Sequence, residues 1–213
     1  MSHEPRVSVF VNCPFDIGYR PLFEAMVFTI VACGYYPRCA LEDSDSGDVR
    51  LDKLCELIRS SNSAIHDLSR TQLSESLLPR FNMPFELGLV IGAKRFGSGQ
   101  HKNKRNLVLI EKKFEMPKYL SDLGGNDAVP HENQRDRLIT AVRGFLKQYP
   151  DGDMLPGAQA IGKNFERFNA DLPGLASEAD CTEDEVRPFG HYPEYLELVT
   201  RFLDKAQPAA ALR

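Results

Sequence analysis

The feature that most constrains this chain is a regular exchange of short β-branched runs with longer amphipathic ones. Arg6 to Asn12 sets Val7, Val9 and Val11 against Ser8 and Phe10, a strand pattern. Cys13 to Gly18 carries turn chemistry. From Tyr19 to Cys33, Leu22, Phe23, Met26, Val27, Ile30 and Val31 recur at helical spacing; Pro21 is tolerated in the first turn and Gly34 stops the helix. Tyr35 to Glu42 reads as a second strand. After the polar turn Ser44–Asp48, a helix over Arg50–Ser60 carries Leu51, Leu54, Leu57 and Ile58 as its apolar stripe. Ser63 to Leu68 is a third strand, Asn82 to Phe96 a third helix, and Asn106 to Glu111 a fourth strand. The order β-α-β-α-β-α-β requires parallel strands joined by right-handed crossovers. The expected fold class is therefore α/β, a flavodoxin-like parallel sheet flanked by helices.

The pattern changes after Lys112. Met116 to Pro130 is loop-rich, and His131 to Gln148 reads as a helix with Leu138, Ile139, Val142, Phe145 and Leu146 on one side. Gly157–Phe168 and Tyr192–Ala206 read as helices separated by the acidic stretch Glu178–Glu185. This divides the chain into an α/β domain over residues 1–112 and a helical C-terminal extension over 113–213. The extension either packs on the sheet or forms a dimer interface.

Composition removes several function classes. Twenty-six basic residues against 30 acidic ones leave a net charge of −4, so duplex nucleic acid is not an expected partner. With mean hydropathy at −0.33 and no apolar run of about 20 residues, no membrane span is expected. No basic segment followed by an apolar one opens the chain, and the five cysteines have no C-x-x-C spacing; both suit a reduced, cytoplasmic protein. No H-x-x-x-H pair suggests a metal centre, and no G-x-G-x-x-G, P-loop lysine or G-x-S-x-G suggests a dinucleotide site, a nucleoside triphosphatase or a serine hydrolase. No cofactor is expected. The Lys102–Arg105 turn reads as a solvated loop.

In an open parallel sheet, ligands bind beyond the carboxyl ends of the strands. That rule selects the loops that begin at Asn12, Glu42, Asp67 and Glu111. Glu42, at a strand exit, is placed to reach a sugar hydroxyl. Asp67 is placed to hold ribose hydroxyls or to exchange a proton with a leaving base, whereas His66 points to the opposite face as a packing residue. Asn82 reads as an N-cap, which puts Glu86 near a helix N-terminus whose partial positive charge favours its ionised form. Gly88 and Gly92 are expected to let this helix approach the sheet closely. An ionised carboxylate at that edge can act as a nucleophile or stabilise an oxocarbenium ion, which is what N-glycosidic cleavage requires.

The strand exits VNCPFD and HDLS and the helix opening NMPFELGLVIGA resemble the nucleoside 2-deoxyribosyltransferase-like superfamily, to which NAD-cleaving Toll/interleukin-1 receptor (TIR) domains look related. The resemblance spans about Arg6 to Glu111. It implies a pocket for a nucleoside, nucleotide or NAD, with Glu86 as catalytic glutamate and Asp67 as a substrate-binding or proton-handling group. Cys13, Pro14 and Phe15 would line the first loop, with Phe15 stacking on the base. The substrate-contacting set completes with Asn12, Asp16, Glu42, Ser69, Asn82 and Met83. The chain departs from the family at Asn12-Cys13, at Met83 and Phe85 before Glu86, and in the tail Ala-Ala-Ala-Leu-Arg213. These departures favour hydrolysis over transfer to a second base. The alternative expectation is a non-catalytic nucleotide sensor that signals through its C-terminal helices. A homodimer is compatible with either.

Overall fold

A computed structural model describes residues 7–42, 47, 49–70, 81–113, 120, 127–149 and 155–206. Its sheet comprises β1 (Ser8–Asn12), β2 (Tyr36–Arg38), β3 (Ser63–Asp67), β4 (Arg105–Ile110) and β5 (Val129–Pro130) in the order β2-β1-β3-β4-β5. All four pairings are parallel. This is the flavodoxin-like α/β arrangement the alternation implies. Strand order reverses between β1 and β3, where Asn12 lies beside His66. In open α/β sheets ligands bind outside the carboxyl ends of the strands at such a reversal.

The helices are α1 (Arg20–Ala32), α2 (Arg50–Ser60), α3 (Asn82–Phe96), α4 (Arg135–Leu146), α5 (Ala158–Glu178) and α6 (Pro188–Ala206). One sheet face, with Val9, Val11, Ile65, Leu107 and Leu109, meets α1. Every residue of α1 from Leu22 to Val31 is buried, because α4, α5 and α6 cover its outer side and join the same apolar core. The opposite sheet face carries Phe10 and Ala64 against α2 and Val90 of α3. Leu68, Val108 and Ile110 pack there against Met83 and Leu87 of α3. Among the described residues no helix is long and apolar enough to cross a membrane.

Several expected elements differ in extent. β2 is only Tyr36–Arg38, an edge strand that contains Pro37, and the chain turns from Cys39 to Glu42 instead of continuing it. Val129–Pro130 is a fifth strand paired with Leu109 and Ile110 rather than loop. Helix α4 starts at Arg135, since Glu132 and Asn133 both have φ near 53°. Helix α5 runs on to Glu178 past Pro173. Burial of Leu172 and Ala176 offsets much of the roughly 3 kcal/mol an interior proline costs. Helix α6 begins at Pro188 and kinks at His191. Gly190 is required there, because a Cβ would lie 2.3 Å from the Asp184 carbonyl oxygen.

Other corrections concern side chains. Leu51 is exposed, so the buried stripe of α2 is Leu54, Leu57 and Ile58. A Cβ on Gly88 or Gly92 would meet open space among the described residues, so these glycines do not govern the approach of α3 to the sheet. Lys104 is buried rather than solvated; its ammonium donates to the carbonyls of Ile58 (2.7 Å) and Ser61 at the end of α2. Ser44, Asp45, Ser46 and Asp48 of the polar turn, most of the segment from Met116 to Asn126 and the tail Pro208–Arg213 lie outside the described residues.

Candidate functional site

Asp67 ends β3 and is fully buried. Its Oδ1 accepts from the Ser69 amide at 2.8 Å and from the Ser69 hydroxyl. Its Oδ2 accepts from the Tyr19 hydroxyl at 2.5 Å and faces His131 Nε2 at 3.0 Å. The Asn133 amide donates to His131 Nδ1 at 3.1 Å, so the ring proton sits on Nε2, shared between Asp67 and the Ser69 hydroxyl oxygen 2.7 Å away. Burial alone would raise the Asp67 pKa. The hydrogen bond and electrostatic attraction of His131, with the bonds from Ser69 and Tyr19, outweigh it and hold the carboxyl below its ordinary value. All four acceptor positions of Asp67 are occupied, so a ligand hydroxyl would have to displace one of these partners. Ser69 is committed to the same hub.

Asn12 ends β1 and is equally committed. Its amide nitrogen donates to the Met83 carbonyl (3.0 Å) and to His66 Nδ1 (2.9 Å). It thereby ties the sheet to the first turn of α3, which carries Glu86. His66 lies edge-on to Phe10, as expected of a packing residue, and burial lowers its pKa to about 3. It is therefore a neutral acceptor toward Asn12.

Asn82 is the first helical residue rather than the N-cap, a position that Phe81 takes with no side-chain capping bond. Asn82 is exposed, whereas Met83 is buried beneath α3. Glu86 consequently lies in the second helical turn, past the strongest influence of the helix dipole. Burial raises its pKa to about 7, partly opposed by the charge of Arg50. The expectation of a simply ionised carboxylate is corrected: near neutrality both forms are populated. Glu86 is only 8% exposed, and among the described residues its carboxylate has no hydrogen-bond partner.

Glu86 faces a cavity of about 720 Å³ that Phe15, Cys39, Glu42, Arg50 and Leu54 also line. That size suits a nucleoside or nucleotide. Phe15 is half-buried, edge-on to Phe23 (5.3 Å) and Phe189 (6.3 Å). Of its neighbours in the first loop, Cys13 is buried and Pro14 is buried as well. Burial, then the charges of Asp67, Cys39 and Glu86, push the Cys13 thiol well above its usual pKa, so it is no nucleophile. Asp16 accepts from the Tyr19 amide at 3.0 Å and pairs with Arg70 at 2.9 Å, which closes the turn that leads into α1.

Of the expected site residues, Phe15, Glu42 and Glu86 thus share the cavity wall. Asn12, Asp67, Ser69 and Met83 are buried at the strand ends and the start of α3 and do not line it, and Asp16 is half-buried beside Arg70. Tyr19 and His131 belong to the hub and were not expected from the sequence. His131 was hidden because β5, the strand that delivers it, is only two residues long. Among the described residues no group of three or more His, Cys, Asp or Glu side chains is arranged to hold a metal ion. Compared with models of known protein families and with curated proteins, the chain matches none.

Proposed function

We propose that the protein hydrolyses an N-glycosidic bond of a nucleoside, nucleotide or NAD, with Glu86 as the acting carboxylate. The observation that carries this reading is a buried carboxylate without a partner among the described residues, on the wall of a nucleoside-sized cavity at the ligand edge of the sheet. Phe15 offers an aromatic surface for the base. As the bond from C1′ to the base nitrogen breaks, positive charge grows on the sugar, and ionised Glu86 stabilises it. Water then adds to C1′ and Glu86 accepts its proton; the bonding pair leaves with the base, which takes a proton from solvent if it is a purine or pyrimidine and leaves neutral without one if it is nicotinamide. A pKa near 7 suits a group that must exchange a proton at neutral pH. Asp67 and Asn12 position this machinery; neither has to touch the sugar.

The test incubates wild type and Glu86→Gln with NAD, nucleosides and nucleoside monophosphates and follows free base by chromatography. Base released by wild type and absent with the variant supports the reading. Undiminished release by the variant removes it. A second reading, a sensor that binds without turnover, draws support from the contact of Phe15 with Phe189 of α6, which links the cavity wall to the C-terminal helices. Binding with no base released from any compound would favour it.

A further inference from the structure

Glu42 is held unusually firmly for a carboxylate at a cavity mouth. Arg38 donates to its Oε2 from Nε (3.0 Å) and Nη2 (2.9 Å). The Cys39 amide donates to Oε1 at 3.1 Å, and Arg38 is itself anchored through Nη1 on the Ser60 hydroxyl at 2.9 Å. This fork fixes the rotamer of Glu42. Among the described residues the only other contact to Oε1 is a long one of 3.4 Å from Arg38 Nε, so Oε1 retains acceptor capacity. Its side chain is 17% exposed and lines the same cavity as Glu86.

A fixed acceptor with spare capacity on a cavity wall selects a ligand that brings a hydroxyl donor. The position also fits: Glu42 follows the second strand at the carboxyl edge of the sheet, where ligands of open α/β sheets bind. We infer that Glu42, clamped by Arg38, accepts a hydrogen bond from the 2′-hydroxyl and makes the cavity selective for ribosides over 2′-deoxyribosides. The inference rests on the reading of the cavity as a nucleoside site, but not on bond cleavage there. Glu42 is then a specificity residue and Arg38 a positioning residue.

The test uses adenosine, guanosine, cytidine and uridine with their 2′-deoxy counterparts, measuring equilibrium binding by calorimetry and base release by chromatography. Wild type is expected to favour at least one riboside over its deoxy partner by about tenfold or more, because a site built to bond a hydroxyl rejects the analogue without it. Glu42→Ala should bring that ratio near unity by weakening the riboside alone. Glu42→Gln, which keeps the shape but has one acceptor oxygen for the two positions that Arg38 and the sugar hydroxyl occupy, should lower it at least about threefold. A merely structural role would weaken both sugars together and leave the ratio unmoved. Should Glu42→Ala lack a cooperative melt, Glu42→Gln decides. Equal handling of both sugars by wild type, a wild-type ratio in a folded variant, or no binding or cleavage of any of the eight overturns the inference. Base release without sugar preference would leave the glycosidase reading standing and remove this one; riboside-selective binding without base release would do the reverse.

Discussion

His131 Nε2 lies 3.0 Å from Asp67 Oδ2, with both side chains fully buried. The contact joins the end of the short β5 to the end of β3 across β4. Replacing His131 by Ala removes a donor from a buried carboxylate and leaves a cavity. The expected loss is about 3 kcal/mol of unfolding free energy, in the range for breaking a buried charged contact. Urea unfolding at pH 7 measures it. A loss under about 0.5 kcal/mol would mean that Asp67 does not depend on His131. The sign with pH follows from the lowered Asp67 pKa. Its contribution is complete above the unfolded carboxyl's value and declines as pH falls through the lower folded value.

Asn12 permits a second prediction. Asn12→Leu strands the Met83 carbonyl and His66 Nδ1 without their shared donor. We expect a destabilisation of about 2–3 kcal/mol. Amide exchange in the first turns of α3 should accelerate more than in α5, because the tie lost is the one between β1 and α3. Uniform acceleration across both helices would show that Asn12 stabilises the fold generally instead of placing Glu86.

How much of this was legible beforehand differs by element. The alternation of Val7, Val9 and Val11 and the helical spacing over Tyr19–Cys33 gave away β1 and α1, because both report burial directly. β5 carries no such signal: two residues cannot show a period, and their pairing is decided by β4. His131 inherited that blindness. Asp67 and Glu86 were visible as polar residues where sheets of this class bind ligands, but their roles were not. Whether a carboxylate is saturated, as Asp67 is, or without a hydrogen-bond partner among the described residues, as Glu86 is, depends on residues as distant in the chain as Tyr19 and His131. Gly88 and Gly92 misled for the related reason that helical spacing shows a shared face without saying which way it points.

The buried Glu24 of α1 supplies a third prediction. Arg187, just before α6, donates from Nη1 to both of its carboxylate oxygens at 2.9 and 3.0 Å. Arg187→Ala leaves a buried carboxylate with only the longer 3.8 Å contact to Arg20 among the described residues, and should cost about 3 kcal/mol. Adding Glu24→Gln should recover a good part of the loss, since the uncompensated charge is then gone. A double variant no more stable than Arg187→Ala alone would show that the loss comes from packing of the arginine stem.

Glu86 gives the last prediction, and its sign separates a functional carboxylate from a structural one. Its folded pKa of about 7 lies above the ordinary glutamate value because burial disfavours the charged form. Such a group contributes stability that is fully present below the unfolded pKa and lost as pH rises through about 7. Glu86→Gln keeps the shape and removes the charge, so it should match wild type near pH 4 and exceed it by about 1–3 kcal/mol at pH 8. Denaturant melts at the two pH values give the difference directly. If the substitution instead destabilises the protein at pH 8, Glu86 has a partner that stabilises its charge, and the argument for a carboxylate held ready for a ligand fails. If it stabilises at pH 8 while base release disappears, the fold bears a cost at this position that serves the site alone.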